Sequence, residues 1–218
     1  FRTKEHTDRL FRSAHILNMK MPFSKDEINE AQRAAVRENN LDEAYLRPMA
    51  FLGSEGMGLR ADNLKVHVMV AAWSWPSYMS PEAKEMGIKV RTSSYTRHHV
   101  NITMCKAKAN GNYMLDNEGY VAEGSGENIF ILRDGVLHTP ELTSCLEGIT
   151  RATILDFARD LNIPVKERRI TRDEVYVAEE AFFTGTAAEV LPIRELDGRV
   201  IGAGKRGPVT EKLQAMYF

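Results

Sequence analysis

The sequence predicts an α/β fold of the α+β kind, divided into a smaller N-terminal α/β domain and a larger, strand-rich C-terminal domain. Between Lys4 and Trp73, helical periodicity gives way to strand alternation. The stretch Ser74 to Glu85, with Pro76 and Pro81, breaks both patterns and reads as a connector. After it, short apolar runs bounded by turn dipeptides prevail. The expected boundaries are residues 1–73, a connector at 74–85, and residues 86–218, within the usual range of domain sizes.

Lys4 to Met19 places Leu10, Ala14 and Leu17 at helical spacing with Arg and His on other faces, and Pro22 lies beyond its end. Ser24 followed by Asp26 and Glu27 is an N-cap with an acidic first turn, opening a second helix to Glu38. Ala44 to Phe51 and Leu64 to Trp73 read as strands, the latter alternating Leu64, Val66, Val68 and Val70 with Lys65 and His67. Gly53 to Gly58 is too glycine-rich for an element interior; a loop able to fold over a ligand is expected there. Farther on, Gly87 to Thr92 is strand-like, and Asn128 to Leu132 meets Val136 to Thr139 across the hairpin dipeptide Asp134-Gly135. Thr150 to Leu161 is a helix with Ile154, Phe157, Ala158 and Leu161 on one face, and Asp173 to Glu180 a shorter one. Ala181 to Thr184 and Glu189 to Leu196 are strands, the second turning through Asp197-Gly198 onto Val200.

Lys and Arg (29) balance Asp and Glu (30), so no long-range field favours nucleic acid or an anionic membrane. Any anion must be caught by local groups. The longest apolar run, Val68 to Trp73, is far short of the ~20 residues of a membrane span, and no signal or lipidation motif is seen. Cys105 and Cys145 have neither disulfide nor zinc spacing and read as reduced thiols in a cytoplasmic protein. Arg97-His98-His99 has no third ligand nearby, so no metal is expected.

Four segments could carry chemistry. Lys106 to Tyr113 sets a lysine pair in a small, glycine-containing stretch before a tyrosine; an imine-forming lysine needs such room, yet alone the segment better suits a solvated pair beside a turn. Glu123 to Asn128 sets carboxylates around glycines before an apolar strand, where a carboxylate could pair with a protonated ring nitrogen or merely furnish an acidic turn. Leu146 to Arg151 leads into the best helix, and backbone N–H groups there would suit a phosphate as well as an ordinary cap. Gly185 to Ala188 is a second small-residue turn, an anion cradle or a plain loop.

Taken in order, these segments resemble the class IV, or fold-type IV, pyridoxal-phosphate aminotransferases, most closely the bacterial branched-chain enzymes. The resemblance runs through nearly the whole chain and is most specific at Thr96 to Asn101, Lys108 to Tyr113, Glu123 to Phe130, Cys145 to Arg151 and Phe182 to Ile193. It implies pyridoxal 5'-phosphate held as an imine on Lys108, with Tyr113 on the ring oxygen, Glu123 on the ring nitrogen and Asn128 nearby. Leu146, Gly148, Ile149 and Thr150 match the phosphate-binding turn, Gly185 and Thr186 add a second contact, and Arg2 reaches the phosphate from the other domain. Tyr45, Arg47, Thr186 and Ala187 would meet substrate carboxylates, while Met57, Leu59 and Tyr78 would wall an apolar side-chain pocket.

The implied activity is exchange of the amino group between leucine, isoleucine or valine and 2-oxoglutarate, by a ping-pong route. A D-amino acid aminotransferase and an aminodeoxychorismate lyase share the fold and would keep Lys108 and Glu123; a non-catalytic remnant is the reading from another class. Relatives also carry chain before Phe1 and a helix where Met114 here runs into Leu115, so both are expected to be missing from this sequence. A homodimer or a homohexamer built as a trimer of dimers is the implied assembly.

Overall fold

A computed structural model describes residues 1–56, 61, 63–75, 77, 79–96, 99, 106–108 and 115–218. The chain divides into two compact units, Phe1–Pro76 with Lys106–Ala109, and Ser77–Cys105 with Asn110–Phe218.

In the first unit, helices α1 (Thr3–Ile16) and α2 (Lys25–Glu38) accompany a hairpin of β1 (Tyr45–Leu52) and β2 (Val66–Trp73), paired antiparallel from Tyr45↔Trp73 to Leu52↔Val66. Helix α2 starts where the sequence predicts, because Ser24 and Glu27 cap each other's backbone N–H groups. The buried face of α1 differs from expectation. Ala14 is buried but Leu17 is exposed, and the face is filled by Thr7, Arg9 and Ser13. Thr7 donates to Asn29 Oδ1 (2.7 Å) and accepts from Gln32 Nε2 (2.9 Å), so a satisfied polar cluster replaces an apolar stripe between α1 and α2.

The second unit opens with α3 (Pro81–Met86), a helix inside the expected connector: Ser80 caps it and Pro81 occupies its first turn, where proline is tolerated. Strands β3 (Ile88–Val90), β4 (Asn128–Arg133), β5 (Val136–Thr139), β6 (Val165–Glu167), β7 (Glu180–Gly185) and β8 (Glu189–Leu196) form one sheet in the order β3-β8-β7-β4-β5-β6, with β9 (Arg199–Val200) on β8. Ile129, Ile131, Phe183 and Leu191 pack in a core on one face. On the other, Phe130, Phe182, Leu137 and Val190 pack with α4 (Ile149–Asp160) and α6 (Pro208–Tyr217) through Ile154, Ala158 and Leu213. The helix expected over Asp173 to Glu180 is shorter: α5 ends at Tyr176 (Arg172–Tyr176), because pairing with β4 claims Glu180 as the first residue of β7.

Candidate active site

Alternation along β4 and β7 builds the core of the candidate site. The paired positions Asn128↔Thr184, Phe130↔Phe182 and Leu132↔Glu180 share one face, and the two phenylalanine rings stack at 5.2 Å. Just before β4, Glu123 bridges back to Asn128 across a tight turn closed by Gly124 N–H donating to the Glu127 carbonyl (2.7 Å). The Glu123 carboxylate is only 2 % exposed. Its Oε2 accepts the Leu146 N–H (2.9 Å) and the Asn128 amide (3.2 Å), and that amide also donates to the Leu146 carbonyl (3.0 Å). Such donors are what permit a carboxylate to be buried. A Cβ at Gly148 would lie 1.9 Å from Asn128 Oδ1, so a side chain there would displace the asparagine.

Helix α4 begins directly after Gly148, which offers no capping side chain, and its first turn contains no acid. Among the described residues nothing accepts the N–H groups of Ile149 and Thr150. Two outward-aimed N–H groups and an uncompensated positive helix end make a place for an anion. The Thr150 side chain is buried and hydrogen-bonded to Tyr217 of α6. At the end of β7, a Cβ on Gly185 would approach the Gly126 carbonyl to 3.0 Å, so the glycine lets two backbones close together. Exposed Thr186 and half-buried Ala187 follow in the turn. Thr184, buried in register with Asn128, has a hydroxyl with no hydrogen-bond partner among the described residues.

In the first unit, Arg2 precedes α1 with φ 47° and pairs with Glu5 (3.0 Å), holding that carboxyl below its ordinary range. The Lys108 N–H donates to Ser13 Oγ (3.0 Å). Tyr45 and Arg47, alternate residues of β1, share a face: the Arg47 guanidinium lies 5.3 Å from the centres of both the Tyr45 and Trp73 rings, and Tyr45 also packs against Trp75 (4.6 Å). Stacking leaves the exposed guanidinium prearranged for a carboxylate.

The second unit thus brings together Glu123, Asn128, Leu146, Gly148, Ile149 and Thr150, with Gly185 to Ala187 on the adjoining turn; the first holds Arg2, Tyr45, Arg47 and Lys108. Tyr113, Met57, Leu59 and Tyr78 lie outside the described residues. Sequence reasoning passed over Ser13, Thr184 and Tyr217. Thr184 carried a faint signal, a hydroxyl on the apolar strand Ala181-Phe182-Phe183.

The chain is similar to known aminotransferases. The model of the family described as amino-transferase class IV matches residues 1–196. A branched-chain-amino-acid aminotransferase of Pseudomonas aeruginosa is 67 % identical over 237 residues, covering 100 % of this chain and 77 % of that protein. That alignment is longer than the 218 residues here, so the relative has residues within the matched stretch that this chain lacks. The crystal structure of the Escherichia coli branched-chain amino acid aminotransferase superposes with TM-score 0.94 at 41 % identity, over 98 % of this chain and 77 % of that one. A branched-chain amino acid aminotransferase from Thermoproteus uzoniensis, a thermophilic archaeon, solved with norvaline, gives 0.92 at 41 % identity, over 100 % and 78 %. The fold is theirs, and the chain belongs to the amino-transferase class IV family.

Proposed function

We propose that this chain is a pyridoxal-phosphate aminotransferase that moves the amino group of leucine, isoleucine or valine to 2-oxoglutarate. The observation that carries the reading is the start of α4, uncapped among the described residues, beside a buried carboxylate, in a chain 67 % identical to a branched-chain-amino-acid aminotransferase. The residues present fit a phosphorylated pyridine: among the described residues nothing accepts the Ile149 and Thr150 N–H groups or pairs with the buried Thr184 hydroxyl, and glycines 148 and 185 leave room.

When bound, the cofactor supplies an electron sink that makes the substrate's α-proton acidic. Lys108 and Tyr113 would hold its reactive side, Glu123 its ring nitrogen with Asn128 beside, and Arg2, Leu146, Gly148, Ile149, Thr150, Gly185 and Thr186 its phosphate end. The Leu146 N–H and the Asn128 amide hold the Glu123 carboxylate in place, and a carboxylate so held can pair with a positive ring nitrogen. Lys108 Nζ would carry a proton between the substrate α-carbon and the cofactor carbon that takes up the amino group. Arg47, with Tyr45, binds a carboxylate, as do Thr186 and Ala187 on the β7 turn; Met57, Leu59 and Tyr78 would enclose the apolar side chain. The norvaline complex of the archaeal relative supports an amino acid with an aliphatic side chain as donor. A further relative, solved with N-(5'-phosphopyridoxyl)-L-glutamate, supports glutamate as the other.

The boundaries proposed for its domains are residues 1–73 and 86–218. Self-association as a dimer or trimer of dimers is also proposed, supported by exposed Met49, Phe51 and Met69 along one face of the β1–β2 hairpin. A cytoplasmic location is also proposed; Cys145 is a buried thiol whose Sγ donates to the Glu141 carbonyl (3.2 Å). The decisive test is Lys108→Ala: activity with L-leucine and 2-oxoglutarate should fall by at least ~10⁴-fold, the scale lost when a group that acts covalently is removed. Full turnover in that variant would sink the assignment. Activity confined to D-alanine or aminodeoxychorismate would redirect it to one of the related chemistries.

A further inference from the structure

The segment around Lys108 packs within the same compact unit as α1, and one face of that helix is built for it. His6, Arg9 and Ser13 follow at intervals that place them on one side of α1. Ser13 is 5 % exposed, and its Oγ accepts the Lys108 N–H at 3.0 Å across 95 residues of sequence. A serine inside a helix ordinarily turns its hydroxyl to its own backbone or to water; this one reaches a distant segment. One turn back, Arg9 is almost fully buried, with Nη2 3.4 Å from His6 Nδ1.

We propose that Ser13 is a positioning residue for Lys108, fixing the backbone from which the lysine side chain starts, with the His6–Arg9 pair stacked behind it on α1. The inference rests on the proposed role of Lys108. A lysine side chain has four rotatable carbons, so where Nζ dwells depends on how firmly its own Cα is held. Ser13 holds it through the backbone N–H and not through the amine. His6 has a proton affinity pushed down to about 4, first by burial and then by the charges of Arg9 and Lys108, with Glu5 opposing. At neutral pH it is therefore an uncharged neighbour and adds no competing cation beside Lys108.

The test uses the full chain loaded with pyridoxal phosphate. Borohydride fixation of the cofactor aldehyde on Lys108, read by peptide mass spectrometry, is timed alongside kcat and KM for L-leucine and the unfolding temperature. Ser13→Ala should slow fixation and lower kcat, each roughly tenfold, with KM changed less than about twofold and little shift in unfolding. That split is expected when a reacting group is misplaced while substrate binding stays intact. Ser13→Thr, which keeps the hydroxyl, should restore both rates. Ser13→Cys, nearly isosteric with a weaker acceptor, should move them in the alanine direction should the alanine variant be unstable. Unaltered fixation and kcat in Ser13→Ala or Ser13→Cys would overturn the proposal, as would losses matching only the fraction unfolded. No adduct on Lys108 in the unsubstituted chain would instead overturn the role of Lys108 itself, and that of Ser13 with it.

Discussion

Helices α4 and α6 lie on the same face of the same sheet and both begin after a glycine, yet their first turns are treated in opposite ways. At α6, the Glu180 carboxylate, itself 5 % exposed, reaches from β7 to accept the N–H groups of Val209 (2.9 Å) and Thr210 (2.7 Å) and the Thr210 hydroxyl (2.6 Å). Gly207 makes room for it, since a Cβ there would fall 2.1 Å from the carboxylate carbon. At α4, Gly148 makes room for a neutral amide, Asn128, which spends its donors on Glu123 and Leu146. The Ile149 and Thr150 N–H groups stay unfilled among the described residues. One strand serves both ends, with Glu180 at its start and Thr184, its hydroxyl unsatisfied among the described residues, near its finish. Where a helix start is structural, the chain supplies the anion; where it is left open, the anion comes from outside.

The comparison breaks most directly at Glu180. Glu180→Ala should remove about 3 kcal/mol of stability, because buried N–H groups and a hydroxyl lose their acceptor together. Thermal unfolding measures it, and cofactor affinity should not change. Gly148→Ala should do the reverse in kind: a smaller loss of about 1–2 kcal/mol as Asn128 is displaced, with cofactor affinity weakened roughly a hundredfold, since the displaced amide also releases Glu123. Inorganic phosphate should raise the unfolding temperature of the unsubstituted chain by mass action and fail to protect Gly148→Ala. Equal phosphate protection of both chains would show that the α4 start is not where the anion sits.

These contrasts mark what sequence reasoning could reach. The Ser24 cap, the Asp134-Gly135 hairpin and the Gly148 to Thr150 turn were legible because their causes lie within a few neighbouring residues. Helix α6 went unpredicted; its cap comes from Glu180, itself misread as the end of a helix, 30 residues away from Thr210. Helix α3 was missed because Pro81 was taken as a breaker when it stands in the first turn behind Ser80. The same holds in the candidate site. Glu123 and Lys108 were singled out by the family resemblance of their segments, since each local motif alone also suited an ordinary turn, but Ser13 and Thr184 acquire meaning only from partners brought by tertiary pairing. Likewise the face of α1 read as an apolar stripe is a polar one, because Thr7 finds Asn29 and Gln32 on another helix.

A second grading follows from exposure. At α5, Glu174 accepts the Thr171 N–H (2.9 Å) and is clamped by Arg168 (2.6 Å), whose hydrogen bond chiefly holds its pKa down at about 2. A carboxylate with a lowered pKa contributes stability that is complete above its ordinary value near 4.5 and is lost as pH falls towards about 2. Glu174→Gln should therefore cost about 2 kcal/mol at neutral pH, and its deficit against the unsubstituted chain should close across that window. A deficit independent of pH would point to packing rather than charge.

The smallest effect is expected at α2, where cap and partner both face water. Ser24 Oγ accepts the Glu27 N–H at 3.3 Å, and Glu27 Oε2 accepts the Ser24 N–H at 2.7 Å, all of them exposed. Water replaces an exposed acceptor at little cost, so Ser24→Ala should lower stability by no more than about 1 kcal/mol, a shift of a few degrees in unfolding temperature. Glu180 differs in one respect above all, that no water can take its place. Should Ser24→Ala prove as costly as Glu180→Ala, burial would not be what ranks these helix starts, and the open start of α4 would lose its meaning as a place kept for an outside anion.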